Sequence, residues 1–259
     1  MKIAYIGIDL FYPVLIALEK NDCEIEKIFT CKTDNITEFN IQIVDYAKKN
    51  NIPYTMDRIT KEDIQELLDV GVEAIICAGY YYLIPVMNEM PMVNIHPTLL
   101  PTGRGSWPMP RIIKEKHKKS GVTMHKIAKD FDTGDIILQK EFLLDREETH
   151  STYMNKVYEL CNEMVEELIL DFNNLYQEAK EQSEGEYWEI PDELEYTVTR
   201  EMSIEEADLI LRAFYGYECI YKSMDKTEKI IAGRVVRDNN NIEEFVYLPL
   251  KDGYIEISK

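Results

Sequence analysis

Met92-Val93-Asn94-Ile95-His96-Pro97-Thr98-Leu99-Leu100-Pro101 is the segment that most restricts how this chain can fold. Its apolar residues make a short strand. The strand has to stop at the prolines, because proline donates no ladder hydrogen bond and is confined to edges and strand ends. A strand stopped there leaves an amide (Asn94) and an imidazole (His96) at its carboxyl end, where open α/β sheets place their ligands. A second apolar strand, Gly121–Ala128, runs into a loop carrying Asp132-Thr133-Gly134-Asp135, with Asp132 lying 36 residues after His96. Taken singly, Asn at a strand end is a turn former, His in a strand a satisfied core residue, and Asp before Thr-Gly a turn. Taken together they supply a donor for a developing oxyanion, an imidazole titrating near neutrality and a carboxylate to orient it, which is equipment for acyl transfer.

The first half alternates strand and helix signals, as a parallel α/β sheet requires. Lys2–Ile8, Glu24–Thr30, Ile52–Thr55 and Glu73–Tyr80 read as strands. Between them Phe11, Val14, Leu15 and Leu18, then Ile43, Val44 and Ala47, then Ile64, Leu67 and Leu68 recur at helical spacing. Gly7-Ile8-Asp9-Leu10-Phe11 lacks the glycine spacing of a dinucleotide fingerprint, which argues against dehydrogenase chemistry. Strand Asp135–Leu144 leads to a long helix over roughly residues 151–181, whose stripe from Tyr153 to Phe172 predicts core packing. Residues 181–206 hold ten acidic residues, and 184–202 is expected to be an acidic linker. Ser203-Ile204-Glu205-Glu206 predicts a capping box opening a helix through Phe214. Glu218–Lys222, Lys229–Val236, Glu244–Leu248 and Tyr254–Ile257 then read as short strands. The expected division is a catalytic domain over 1–183 and a small helix-plus-β module over 203–259.

Asn94-Ile95-His96-Pro97-Thr98-Leu99-Leu100-Pro101, Gly103-Arg104-Gly105, Gly121-Val122-Thr123-Met124-His125 and Asp132-Thr133-Gly134-Asp135-Ile136-Ile137 together resemble the formyltransferase family that uses 10-formyltetrahydrofolate. The resemblance, to the methionyl-tRNA and sugar N-formyltransferase branch, is strong over residues 70–145 and weak over 1–70. It implies an α/β, Rossmann-like, mostly parallel sheet with flanking helices plus a small C-terminal β-rich module, a folate formyl donor and an amine acceptor, with no metal. Carried onto this chain, it puts an Asn-His-Asp triad at Asn94, His96 and Asp132. Asn94 would donate to the oxyanion and His96 accept the amine proton. Asp132 would orient His96, and is also a candidate to relay a proton to the departing folate nitrogen. The loop Ala78–Pro85 would line the folate pocket through Tyr82, Leu83 and Ile84, opposite a wall formed by Ile127 and Asp130. His125 beside that wall reads equally as structural. Arg104 and Gly105 would meet the acceptor, Arg104 offering a planar fork for phosphate or carboxylate.

Composition narrows the partners. A net charge of −19 disfavours generic nucleic-acid or anionic-membrane binding. No apolar run reaches the ~20 residues a membrane span needs, and the N-terminus reads as a first strand rather than a signal peptide. Five scattered cysteines form no metal or disulfide pattern, so a reduced cytoplasmic protein is expected. The expected acceptor is the amino group of a nucleotide-linked sugar. One compact basic island within Arg104–Lys119 suits a diphosphate, and the acids Asp225, Glu228, Asp238, Glu243 and Glu244 offset the bases of the C-terminal module. A homodimer is compatible with this reading, and tRNA is not excluded. The alternatives are a methionyl-tRNA formyltransferase, a formyltetrahydrofolate hydrolase using the same triad on water, and a non-catalytic folate-binding protein. Such hydrolases normally carry an N-terminal regulatory domain, whereas here strand one is expected from residue 2, and the C-terminal module weakens assignment to the purine-pathway enzyme acting on glycinamide ribonucleotide.

Overall fold

The computed structural model describes residues 1–35, 38–224, 226–240 and 242–259; Asp225, one of the acids weighed above, lies outside them. The chain divides into two compact units. The first comprises Met1–Ser106, Ser120–Phe142 and Lys156–Trp188, the second Trp107–Lys119, Leu143–Asn155 and Glu189–Lys259.

The first unit is built on strands β1 (Lys2–Gly7), β2 (Glu24–Phe29), β3 (Tyr54–Thr55), β4 (Ala74–Ala78), β5 (Met92–His96), β7 (Lys119–Lys126) and β8 (Ile136–Leu143), with α1 (Tyr12–Lys20), α2 (Ile41–Lys49) and α3 (Lys61–Asp69) connecting the early strands. The sheet order is β3-β2-β1-β4-β5-β7-β8. Pairs from β3 to β5 are parallel, as expected of strands joined by crossover helices, whereas β7 runs antiparallel to β5. Strand order reverses between β1 and β4, so their carboxyl ends border the crevice where such sheets bind ligands, with β5 the next strand along.

Alternation along the strands divides the core between two faces. Ala4, Ile6, Phe29, Ile75, Cys77 and Met92 pack with Ile64 and Leu67 of α3 on one face. Tyr5 lies on the other, its hydroxyl donating to Phe11 O at 3.1 Å. Local chemistry sets the helix starts. Thr60 and Asp63 form a capping box on α3. The buried Asp9 carboxylate accepts from Gln42 N (2.9 Å) and Ile43 N (3.0 Å), supplying the side-chain acceptor that the N-terminus of α2 lacks locally. The single long helix expected from residue 151 is two: α5 (His150–Leu170) and α6 (Phe172–Gln177). Asp171 leaves helical geometry at φ −139°, and its side chain accepts from Asn174 Nδ2 at 2.7 Å, the competing local bond that disfavours Asp inside a helix.

The acidic stretch after α6 is not featureless. Tyr187–Trp188 forms β9, paired in parallel with β6 (Arg104–Gly105). Thr197–Thr199 forms β10 of the second unit. Both segments are aromatic or β-branched, types that suit a strand whatever the charge around them.

The second unit holds α4 (Met109–Lys114), β10, α7 (Ile204–Ala213), β11 (Cys219–Lys222), β12 (Thr227–Ile230), β13 (Arg234–Val236), β14 (Phe245–Pro249) and β15 (Tyr254–Ser258). The Ser203–Glu206 capping box opens α7 as predicted. The strand expected over 229–236 is divided between β12 and β13, which belong to separate three-stranded sheets, β10-β11-β12 and β13-β15-β14. Gly233 stands at the division. All five cysteines are free and buried. Among the described residues no helix is long and apolar enough to cross a membrane.

An aromatic box in the second unit carries a titratable group. Trp107, at φ +53°, donates from Nε1 to His150 Nε2 at 3.0 Å, with Phe214 and Tyr217 against its ring. Accepting that bond requires a neutral His150, and burial pushes its pKa down to about 4. A histidine depressed in the folded state contributes stability that is complete above its ordinary pKa near 6.5 and is lost as pH falls toward the folded value. Urea unfolding at pH 7 and pH 5 should therefore show a loss of about 2 kcal/mol that a His150→Gln variant, which keeps an acceptor but cannot protonate, does not share. Equal losses in both proteins would contradict the assignment.

Candidate active site

Residues two apart on a strand share a face, so Asn94 and His96 project together from the end of β5. The antiparallel register with β7 sets His125 opposite Asn94 and Thr123 opposite His96. Thr123 fixes the turn that follows β5. Its hydroxyl donates to Thr98 O (2.7 Å) and accepts from Leu100 N (3.1 Å) and Gln139 Nε2 (2.8 Å). The chain then returns so that Gly103 O accepts from His96 Nε2 at 2.7 Å.

Asp132 closes the cluster. It adopts φ +55°, a left-handed conformation that strains any residue but glycine and that short polar side chains tolerate best. Its Oδ2 accepts from Gly105 N at 2.9 Å and its Oδ1 from Asn94 Nδ2 at 3.2 Å. Oδ1 also lies 3.5 Å from His96 Nδ1 and 3.4 Å from His125 Nε2. The following turn is restricted to its sequence, since a Cβ on Gly134 would collide with Lys126 O.

The hydrogen bonds assign both tautomers. His125 Nδ1 lies 2.8 Å from Lys126 O and must donate there, which leaves Nε2 to accept from Asn94 Nδ2 at 3.0 Å. Both N–H groups of Asn94 therefore already have acceptors. His96 donates from Nε2 to Gly103 O, so in the neutral ring Nδ1 is a bare lone pair facing the Asp132 carboxylate, too far for a hydrogen bond. Burial lowers the His96 pKa below the ordinary histidine value, partly offset by the Asp132 charge and the Gly103 carbonyl. Burial alone would raise the Asp132 carboxyl. His96 and His125 in their protonated forms, with the Gly105 amide, outweigh it and hold that carboxyl well below the usual carboxylate range. At neutral pH the site is an ionised Asp132 beside a neutral His96.

The two residues expected to meet the acceptor are tied into the protein. Arg104 donates from Nε (3.2 Å) and Nη2 (2.9 Å) to Gln182 Oε1, from Nη2 to Ser183 O (2.9 Å) and from Nη1 to Gly185 O (3.4 Å). Gly105, at φ +109°, lies so close to β9 that a Cβ there would overlap Trp188 O. Its lack of a side chain serves strand contact.

The residues expected around the folate divide by environment. Leu83 is 52% exposed and Tyr82 half-buried, with the Arg58 guanidinium 3.9 Å from the Tyr82 ring centroid. Ile84 lies in the core, and Ile127, half-buried, packs against the same cluster with its amide bonded to Met92 O at 3.0 Å. Asp130 is exposed and its carbonyl accepts from Thr133 Oγ1 at 3.0 Å. Sequence reasoning did not single out Gln182, which bonds to the Asp132 loop from 50 positions away, and gave His125 no part in the cluster. Among the described residues no group of three or more His, Cys, Asp and Glu side chains is arranged to hold a metal ion.

With the sheet and this cluster in place, the family is defined: the formyl transferase sequence model matches residues 14–169, and the chain belongs to that family. The methionyl-tRNA formyltransferase of Thermotoga maritima is 33% identical over 142 residues, covering 52% of this chain and 45% of that one. That of Ehrlichia chaffeensis is 28% identical over 190 residues, covering 68% and 62%. The chain thus spans roughly half the length of the curated relatives it matches. Among solved structures, an N-formyltransferase from Helicobacter canadensis in complex with folinic acid and dTDP-3-aminofucose matches at TM-score 0.65 and 19% identity, covering 100% of this chain and 98% of that one. HypX from Aquifex aeolicus in complex with tetrahydrofolic acid matches at 0.73 and 17%, covering 99% and 43%. At such identities these structures establish the shared fold.

Gly105→Ala is expected to destabilise the protein by about 2 kcal/mol or more, combining the positive-φ cost with overlap on a backbone oxygen. Chemical denaturation at neutral pH measures it. A variant as stable as the parent would mean that β6 and β9 do not approach as described.

Proposed function

We propose that the protein transfers a formyl group from 10-formyltetrahydrofolate to a primary amine, with Asn94, His96 and Asp132 of the first unit carrying the chemistry. The observation that carries this reading is the open Nδ1 of a neutral His96 beside an ionised Asp132, at the carboxyl end of β5, in a chain of the formyl transferase family.

The acceptor nitrogen attacks the formyl carbon, a C–N bond forms, and the carbonyl electron pair moves to oxygen. The oxyanion takes over one of Asn94's two N–H groups. The 3.2 Å bond to Asp132 is the longer of the two in place and the easier to exchange. An oxyanion donor of this kind is worth about 3–4 kcal/mol. His96 Nδ1 receives the amine proton, and the resulting imidazolium is held between Gly103 O and Asp132 Oδ1. Collapse breaks the bond between carbon and folate N10, which takes the proton back from His96. A carboxyl held far below its usual range is a poor proton carrier, so Asp132 stabilises charge and leaves the relay to His96. Tyr82 and Leu83, with the backbone of Ile84, Ile127 and Asp130, are the proposed folate contacts. A flat pterin edge is matched by backbone groups left over from these pairings, since the Ile127 amide is bonded to Met92 O and the Asp130 carbonyl to Thr133 Oγ1.

For the acceptor we favour the amino group of a nucleotide-linked sugar over methionyl-tRNA. The net charge of −19 opposes broad phosphate neutralisation, which tRNA binding needs. The basic residues that would provide a local patch are partly engaged, Arg111 with Glu115 and Lys114 with Glu195. Arg104 contributes as part of the frame around the site, given where its donors point. The second reading, methionyl-tRNA formyltransferase, is kept because it is what the matched sequence relatives are.

Purified protein supplied with 10-formyltetrahydrofolate and either methionyl-tRNA or a panel of nucleotide-linked amino sugars, read by mass spectrometry, decides the acceptor. The sugar is expected to gain a formamide, and tRNA formylation with every sugar untouched would overturn the choice. Formate release without an amine would favour a hydrolase, and tight donor binding without turnover a binding protein. His96→Ala and Asp132→Ala are each expected to lower the rate by about a hundredfold or more while the fold persists. Near-parental transfer by either would remove the roles given to them.

A further inference from the structure

The segment after α6 runs across the Asp132 loop and is tied down along its length. Lys180 exchanges backbone hydrogen bonds with Ile136 (2.7 and 2.8 Å). Gly185 lies against Pro101, where a Cβ would collide. Tyr187 and Trp188 pair with Arg104 and Gly105. Between these points the Gln182 carboxamide reaches into the loop. Its Nε2 donates to Asp132 O (3.1 Å) and to Gly134 O (2.5 Å), and its Oε1 accepts two guanidinium bonds from Arg104.

We propose that Gln182 is a positioning residue for Asp132: anchored by Arg104, its amide clamps the carbonyls on either side of Thr133 and holds the Asp132 carboxylate on the Gly105 amide and against His96. This rests on the catalytic role proposed for Asp132. The physical need is clear in the backbone. Asp132 is a non-glycine residue at φ +55°, a conformation that persists only where its surroundings over-determine it. Carbonyls turned out of such a bend also require a donor. A carboxamide meets both demands at once, since it offers two N–H groups to the loop and an oxygen to arginine, so every polar atom in the network is matched.

The same segment aligns both partners of the bond it protects. Gln182 fixes the loop bearing the acceptor, Asp132 Oδ2, while Tyr187–Trp188 fixes the strand bearing the donor, Gly105 N. A displacement of either by a fraction of an ångström would also move Oδ1 relative to His96 Nδ1, where the proton arrives. Misplacement on that scale lowers turnover without removing a substrate contact.

Gln182→Ala removes the clamp and the Arg104 anchor together. Gln182→Glu separates them, because a carboxylate still receives Arg104 but presents oxygen, not N–H, to the two carbonyls. Both variants are expected to lower kcat about tenfold or more with KM for donor and acceptor within about twofold of the parent. Hydrogen exchange of the Gly105 amide, followed by NMR, is expected to accelerate about tenfold or more in both, while β4 amides stay near parental values. Parental kcat and Gly105 protection in Gln182→Glu would overturn the proposal, leaving Gln182 as an anchor for its own segment only. If Gln182→Ala does not fold, Gln182→Glu alone decides. If the parent protein formylates no amine, the functional reading fails separately, and Gly105 exchange in the two variants still decides whether the clamp exists.

Discussion

An ionised carboxylate in a nearly closed environment is the constraint from which the rest of the site follows. Asp132 is held in that state by the Gly105 amide and the Asn94 carboxamide, against a burial that favours the neutral acid. The residues around it are fixed by three elements. Asn94 and His96 come from β5, His125 from β7, and Gly105 from a two-residue strand that exists only because Tyr187 and Trp188 pair with it. Losing one of these donors without a replacement leaves a buried charge less well solvated, which costs more than losing a typical neutral hydrogen bond. The site is therefore preorganised around one charge, and a second charge appearing on His96 finds its counter-ion already in place.

Much of this was legible in the sequence because it depends on strand ends. Prolines stop β5 where Asn94 and His96 stand, and Asp132-Thr133-Gly134 can only be a tight turn, so the residue types that meet were identifiable without coordinates. The contacts that escaped depend on strand direction or on distance along the chain. His125 faces Asn94 because β7 runs antiparallel to β5, and no feature of either strand announces that direction. Gln182 arrives from a segment whose acidity reads as solvent exposure, yet charge on alternating side chains says nothing about whether the backbone pairs or where one amide points.

Arg104 shows the limit of reading a guanidinium from its neighbours in sequence. An arginine between two glycines beside a catalytic strand offers a phosphate fork on chemical grounds. Its donors go to a side-chain oxygen and to the carbonyls of Ser183 and Gly185, acceptors that sequence cannot reveal. The same holds for Ile84, which follows an exposed aromatic loop and turns into the core. In both cases tertiary packing, and not residue type, decides what the side chain touches. The acceptor chemistry consequently rests on overall charge and family membership more than on any one cation.

Proton transfer in this site depends on which nitrogen of His96 is open. Nitrogen-15 NMR of the histidine side chains in the free protein at pH 7 reads it directly. The expected result is a neutral His96 carrying its proton on Nε2, bonded to Gly103, and a His125 carrying its proton on Nδ1, bonded to Lys126. A neutral His96 with its proton on Nδ1 would close the atom assigned to receive the amine proton and would contradict the mechanism at its centre.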